Sequence, residues 1–281
     1  MKRLVSVFAM AALLSACSAG ANKADDAVAN AEAGASSSAS ATASADGSSA
    51  SASISDVKGR SVKVDTDLMQ FEYSYPGKAA AIPKLSKLLD RRLDEAGQEL
   101  EKSATEGQAS AKKDNYPYRA YSNVVEWSVV TDLPDWLSLS STNYSYTGGA
   151  HGMTVFDSLL WDKKAEKALN TMDVFISGPA LANVVKDAFC DQLDKSRSKK
   201  RGEIVKRDEA DPFTSCIDPV DNSTVILGSS NGKSFDRIGF LVPAYNAGPY
   251  AEGSYEVTLP VTKDVIATVK PQYRASFSAK K

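Results

Sequence analysis

Hydrophobic positions change rhythm several times along the 281 residues. From Val62 to Tyr73 the residues Val62, Val64, Leu68, Phe71 and Tyr73 alternate weakly with polar neighbours, which predicts one strand or a pair of strands. Between Ala79 and Glu106 the spacing lengthens. Ile82, Leu85, Leu89, Leu93, Ala96 and Leu100 step by threes and fours, the apolar stripe of a long helix. Gly107 is placed to stop it. Lys87, Arg91, Arg92, Asp94, Glu95 and Glu101 fall on the other side and predict a solvated face.

Strand rhythm then returns in three runs, Asn123–Asp132, Trp136–Tyr146 and Thr154–Trp161. Val125, Trp127 and Val129 share a face of the first. In the second, Trp136, Ser138, Ser140, Thr142, Tyr144 and Tyr146 share one face, and Leu137 and Leu139 the other. Leu133-Pro134-Asp135 and the glycines from Gly148 to Gly152 interrupt the runs, so the three read as an antiparallel meander. Farther on, Ser177 with Pro179 marks a helix start. Leu181, Val184, Val185, Ala188 and Leu193 form its stripe. Thr224–Leu227, Phe235–Val242 and Ser254–Leu259 predict strands, and Thr262–Val269 a short helix closed by Pro271. Helices and strands are segregated rather than alternating. The expected class is α+β: an antiparallel or mixed sheet, a long N-terminal helix, a second helix, and two intimately packed halves at 56–165 and 166–281.

The start of the chain bears on location. Lys2 and Arg3 precede Leu4–Leu14, an apolar run broken only by Ser6 and too short to span a bilayer. Residues 1–16 read as a secretory signal peptide. Leu14-Ser15-Ala16-Cys17 resembles the lipobox of bacterial lipoproteins, which implies cleavage before Cys17 and acyl chains such as palmitate on the new terminus. An ordinary cleaved signal with a chance cysteine is the alternative. Ser18, rather than aspartate, points to the outer membrane, facing the periplasm. Residues 17–55 then form a tether: from Ser18 to Ser55 there are 14 Ala and 11 Ser and no aromatic residue. Removing Lys2 and Arg3 from the 33 basic residues leaves 31 against 35 acidic, a net of −4. That balance gives no reason to expect nucleic acid as a partner.

Cys190 and Cys216 remain after Cys17, an even pair that predicts a disulfide in an oxidising compartment. Between them Lys195, Arg197, Lys199, Lys200, Arg201, Lys206 and Arg207 read as a solvated helix end, with a patch for anionic lipid or cell-wall polymer as the alternative.

Two glycine-rich stretches remain, Tyr144-Ser-Tyr-Thr-Gly-Gly-Ala-His-Gly152 and Tyr245-Asn-Ala-Gly-Pro-Tyr-Ala-Glu-Gly253. Together they resemble a bacterial envelope family, largely domains of unknown function. It includes the external part of the lysozyme-sensing anti-sigma factor RsiV and the accessory region of the peptidoglycan deacetylase PdaC. Tyr146, Gly148, Gly149, Ala150, His151 and Gly152 carry the first motif; Tyr245, Pro249, Tyr250, Ala251 and Gly253 carry the second. The resemblance spans roughly residues 60 to 275. It implies a recognition module without the anti-sigma segment or the deacetylase catalytic domain. The partner it implies is a lysozyme-like protein or peptidoglycan.

His151 is the single histidine of the chain. It can pin the turn, contact a ligand, or act in chemistry. A triad needs a nucleophile and an orienting carboxylate beside it, and zinc needs three or four ligands; neither pattern is evident, so no catalytic residue, metal or cofactor is expected. A binding site from Tyr146, His151, Tyr245 and Tyr250 is expected if the two turns meet. A cell-wall hydrolase using His151 and an envelope assembly scaffold are the competing functions.

Overall fold

A computed structural model describes residues 57–279. The signal segment, Cys17 and the tether lie outside the described residues. The weak alternation after Val62 resolves into two strands, β1 (Arg60–Asp65) and β2 (Met69–Tyr75), paired antiparallel. One helical turn, α1 (Gly77–Ala80), precedes the long helix α2 (Pro83–Lys113). The expected start at Ala79 therefore falls about one turn early. Pro83 lacks a donor and drives Ile82 into extended backbone (φ −106°, ψ 104°), so the helix starts anew at the proline.

Gly107 does not stop α2, which runs on to Lys113. Its missing Cβ serves packing instead: a methyl there would lie 2.4 Å from the Tyr121 hydroxyl. The polar side of α2 is also not simply solvated. Arg92 pairs with Asp157 at 3.2 Å and covers the Trp127 ring at 5.4 Å.

Strands β3 (Tyr121–Asp132), β4 (Trp136–Tyr146), β5 (Met153–Asp162) and the short β6 (Lys167–Leu169) continue the sheet in chain order as an antiparallel meander. Only β2 and β3 are parallel, because α2 crosses over between them. The class is α+β with a mixed sheet. Alternation places Phe71, Tyr73, Val125, Trp127, Leu139 and Leu159 on one face beneath the Leu85–Leu89–Leu93–Leu100 stripe of α2. Burying each such side chain contributes about 1.5–3 kcal/mol.

A second core lies under α3 (Gly178–Arg201). Ser177 caps it by accepting from the Ala180 amide. Its buried stripe is Leu181, Ala182, Val185, Phe189, Cys190, Leu193 and Arg197. Val184 and Ala188, assigned to the stripe from sequence, face solvent. Strands β7 (Thr224–Gly228), β8 (Arg237–Val242) and β9 (Tyr255–Pro260) form an antiparallel sheet against α3, with Phe189 and Phe240 rings edge-on at 5.2 Å. The helix α4 (Lys263–Ala267) is shorter than the stretch to Val269, since Val269 instead bridges to Phe175. Leu133, Trp136 and Leu160 from the large sheet join this second core. There β7 leans on the face of the large sheet opposite α2, and Thr224 Oγ1 donates to the Phe156 carbonyl at 3.0 Å. Beyond β7, Gln70, Glu126, Ser128 and Thr142 on that face are exposed, while Ser122 and Tyr146 are buried.

Cys190 and Cys216 form the expected disulfide, Cα atoms 5.4 Å apart. The basic segment between them is a solvated helix end only in part: Lys195, Lys199 and Lys206 are exposed, while the others are engaged. Arg197 is fully buried, Arg201 holds Glu252, and Arg207 holds Asp191 and Asp194.

Candidate functional site

The two glycine-rich stretches meet. The first is the β4–β5 turn. Gly148 (φ +98°) and Gly149 (φ +88°) supply the left-handed backbone that reverses the chain. Tyr146 closes the turn, its hydroxyl donating to the Gly149 carbonyl at 3.2 Å. Gly152 serves a different need: a Cβ there would sit 2.4–2.5 Å from the Tyr144 phenol.

His151 is held on three sides. Its ring stacks on Tyr250 with centroids 3.7 Å apart and planes 18° from parallel. Nδ1 lies 3.0 Å from the Gly152 carbonyl, and Nε2 lies 3.2 Å from the Tyr245 hydroxyl. A carbonyl only accepts, so Nδ1 carries the proton and Nε2 accepts from Tyr245. The Tyr250 hydroxyl donates to the same Gly152 carbonyl at 2.9 Å. His151 therefore bonds within its own turn and also fastens that turn to the second motif.

The second stretch follows β8. Tyr245 adopts φ +74°, a left-handed conformation that a bulky aromatic residue rarely takes, and it is 47% exposed. Its amide donates to the Gly248 carbonyl at 3.1 Å. Tyr250 opens a 3-10 turn, Tyr250–Glu252, and Gly253 (φ +67°) releases the chain into β9.

The end of α3 clamps this loop from below. Arg201 binds both Glu252 oxygens, at 2.8 and 3.1 Å, and Tyr255 donates to the same carboxylate. Burial by itself would raise the Glu252 pKa, but the bonds from Arg201 and Tyr255 outweigh it and leave the carboxyl below its ordinary range. Lys200 donates to the Glu252 and Ser254 carbonyls, and Arg197 Nε to Ala247 O at 2.9 Å. Burial pulls the Arg197 pKa down while Asp194 opposes it.

All four residues named from sequence thus gather at one end of the large sheet. His151, Tyr245 and Tyr250 touch directly, and Tyr146 reaches them through the turn. Tyr146, His151 and Tyr250 line a shared open concavity of about 510 Å³ with Gln70, Ser122 and Tyr144. Sequence reasoning missed Arg119, whose guanidinium lies 4.9 Å over the Tyr146 ring and donates to the Gly149 carbonyl at 3.2 Å. The aromatic density of Tyr116-Pro-Tyr-Arg-Ala-Tyr121 was the available signal.

The hydrogen-bonding positions of His151 are taken up by a carbonyl and a phenol. Asp157, close to it in sequence, is tied to Arg92 and to the Ser158 amide instead. Among the described residues no group of three or more His, Cys, Asp or Glu is placed to hold a metal ion. What the surface offers is flat aromatic area, hydroxyls and one guanidinium.

Residues 62–154 match the family described as deacetylase PdaC. Among solved structures the chain is similar to a member of the DUF3298 family from Bacteroides fragilis (17% identity, 79% of this chain and 97% of that one, TM-score 0.47). It is also similar to a DUF3298 family protein from Pseudomonas aeruginosa (16% identity, 81% and 100% covered, TM-score 0.43). No curated protein matches the chain.

Proposed function

We propose that this protein is a recognition module of the bacterial envelope, held outside the cytoplasm by a lipid on Cys17, which binds its partner through the Tyr146–His151–Tyr245–Tyr250 surface. The observation that carries the reading is the junction of two separate turns through His151, with Tyr245 kept exposed at a costly left-handed φ. Strain of this kind costs about 1–3 kcal/mol and persists where a function fixes it. Tyrosine with Gly, Ser and Asn is also the composition of adaptable recognition surfaces, because the phenol gives much contact area with only two side-chain torsions. The partner that suits such a module is a lysozyme-like protein or peptidoglycan, and the likeness over residues 62–154 to the family described as deacetylase PdaC supports an envelope setting.

The test uses the full chain in detergent, presented to immobilised lysozyme and separately to purified cell-wall sacculi. Retention on at least one is expected. Tyr245→Gly relieves the backbone strain while removing the ring, so it should leave Tm unchanged or higher and weaken retention at least tenfold. Retention on neither support, or a Tyr245→Gly variant that binds as well as the parent, would defeat the proposal.

A further inference from the structure

The concavity at His151 does not end there. It shares Gln70, Ser122 and Tyr144 with a second one of about 200 Å³ that reaches Lys63 and Glu72. On the other side it shares Arg119 and Tyr146 with a third of about 290 Å³, bounded by Tyr116, Tyr118 and Tyr121. The three adjoin through these shared residues, the first two over the face of the large sheet away from α2 and the third around its rim toward Gly107 of α2. Register explains the floor. Asp65, Gln70, Ser122 and Tyr146 form one row across β1 to β4, and Lys63, Glu72, Val124 and Tyr144 the next.

Arg119 sits where two of these hollows join. Arg60, Arg92, Arg197, Arg201 and Arg207 each hold a carboxylate. Arg119 has no acidic partner among the described residues; it lies on Tyr146 with one N–H on the Gly149 carbonyl. A guanidinium over a ring with one N–H engaged keeps its other N–H donors for an outside carboxylate. On the β1 side, Lys63 pairs with Glu72 at 3.4 Å and Asp65 accepts from Gln70, so the cationic end of the groove is the Arg119 end.

The occupant must therefore be elongated, present flat faces to tyrosine rings, carry hydroxyl or amide groups for Gln70 and Ser122, and bring an anion to Arg119. An extended peptide gains affinity by adding to a free strand edge. Here the floor is a sheet face, the backbones of β2, β3 and β4 being paired on both sides. We infer that this groove binds a linear saccharide bearing carboxylate groups, with Arg119 as the residue that selects for the charge.

The inference rests on the recognition reading above and can fail separately from it. The full chain in detergent is titrated calorimetrically with three probes: a β-1,4-linked mannuronate hexamer, an uncharged β-1,4-linked N-acetylglucosamine hexamer, and a glutamate decapeptide. The mannuronate hexamer should bind more tightly than the neutral hexamer, and its affinity should weaken with added salt. Arg119→Ala should weaken mannuronate at least tenfold, the loss expected for one charge-assisted contact, and bring it to the level of the neutral hexamer. Arg119→Lys should restore part of the difference. Equal affinity for both saccharides, indifference to Arg119→Ala, or binding of the decapeptide alone overturns the inference. If retention on lysozyme or sacculi meanwhile survives and still depends on Tyr245, only the saccharide assignment falls.

Discussion

Replacing Arg197 by methionine removes the buried bolt beneath the second turn. The guanidinium is fully buried and makes four bonds: Nε to Ala247 O at 2.9 Å, and Nη1 to Asp194 at 3.0 Å, Ser215 O at 2.9 Å and Thr214 O at 3.2 Å. These join α3 to the disulfide-bearing segment and to the loop that carries Tyr245 and Tyr250. Bonds to a charged donor contribute roughly 1.5–3 kcal/mol each, but desolvating the guanidinium offsets several kcal/mol of that. Nη2 lacks a hydrogen-bond partner, which reduces the gain further. Removing one partner of a buried pair usually costs about 3–5 kcal/mol, because the partners left behind stay dry and unmatched. We expect that loss for Arg197→Met, near half of a typical domain's stability. At about 2–4 °C per kcal/mol for a domain of this size, Tm should fall by roughly 6–20 °C. Urea unfolding with an unchanged m-value measures the loss, and hydrogen exchange should show amides 247–254 deprotected first. A neutral or stabilised Arg197→Met variant would refute the reasoning: hydrophobic packing would then replace the pair at no loss, as happens in some buried ionic clusters.

Removing the Cys190–Cys216 bond, a 26-residue separation, by a double alanine substitution should lower stability by about 3.5 kcal/mol on the chain-entropy view, read from urea midpoints. Gly152→Ala should displace the Tyr144 phenol, lowering Tm by only a few degrees while weakening retention on lysozyme or sacculi; unchanged retention would show that Tyr144 takes no part. Glu252 and Asp132 both have carboxyl pKa values below their ordinary range: burial opposes this in each, and Arg201 with Tyr255, or Lys163 with Lys78, outweighs it. Groups depressed in the folded state stabilise it above the unfolded pKa. Tm should therefore fall as pH drops from about 5 towards 3, less steeply in Glu252→Gln. Tyr73, Tyr75 and Tyr255 are pushed up to about 12, chiefly by burial, so stability should also decline between pH 10 and 12, with these phenols ionising last in an ultraviolet titration.

Local rules carried much of the architecture. Period-two alternation placed β3, β4 and β5 within two residues, and the three-four stripe of α2 found its buried leucines, because each pattern repeats over enough residues to fix one face. The Ser177 cap and the cysteine pair were equally plain, since each is a short-range or countable signal. Gly107 and Val184 were misread for one reason. A glycine can mark either a stop or a close contact, and an apolar residue either a core or an edge, so the neighbour decides. Here Tyr121 fills the space at Gly107, and Val184 is left 41% exposed. Arg197 looked like one charge in a solvated run, yet it is among the most buried side chains, because three distant carbonyls and Asp194 converge on it.

The sequence by itself determined most of the longer elements, their class, the disulfide pair and the two turns as the places worth watching. Only tertiary structure decided that the turns are one site, since 94 residues separate His151 from Tyr245 and no local pattern reports that distance. The same holds for the groove. Gln70, Ser122 and Tyr146 become neighbours only when a parallel crossover sets β2 beside β3, and only the folded chain places Arg119 on Tyr146 and Gly149 O with no carboxylate beside it.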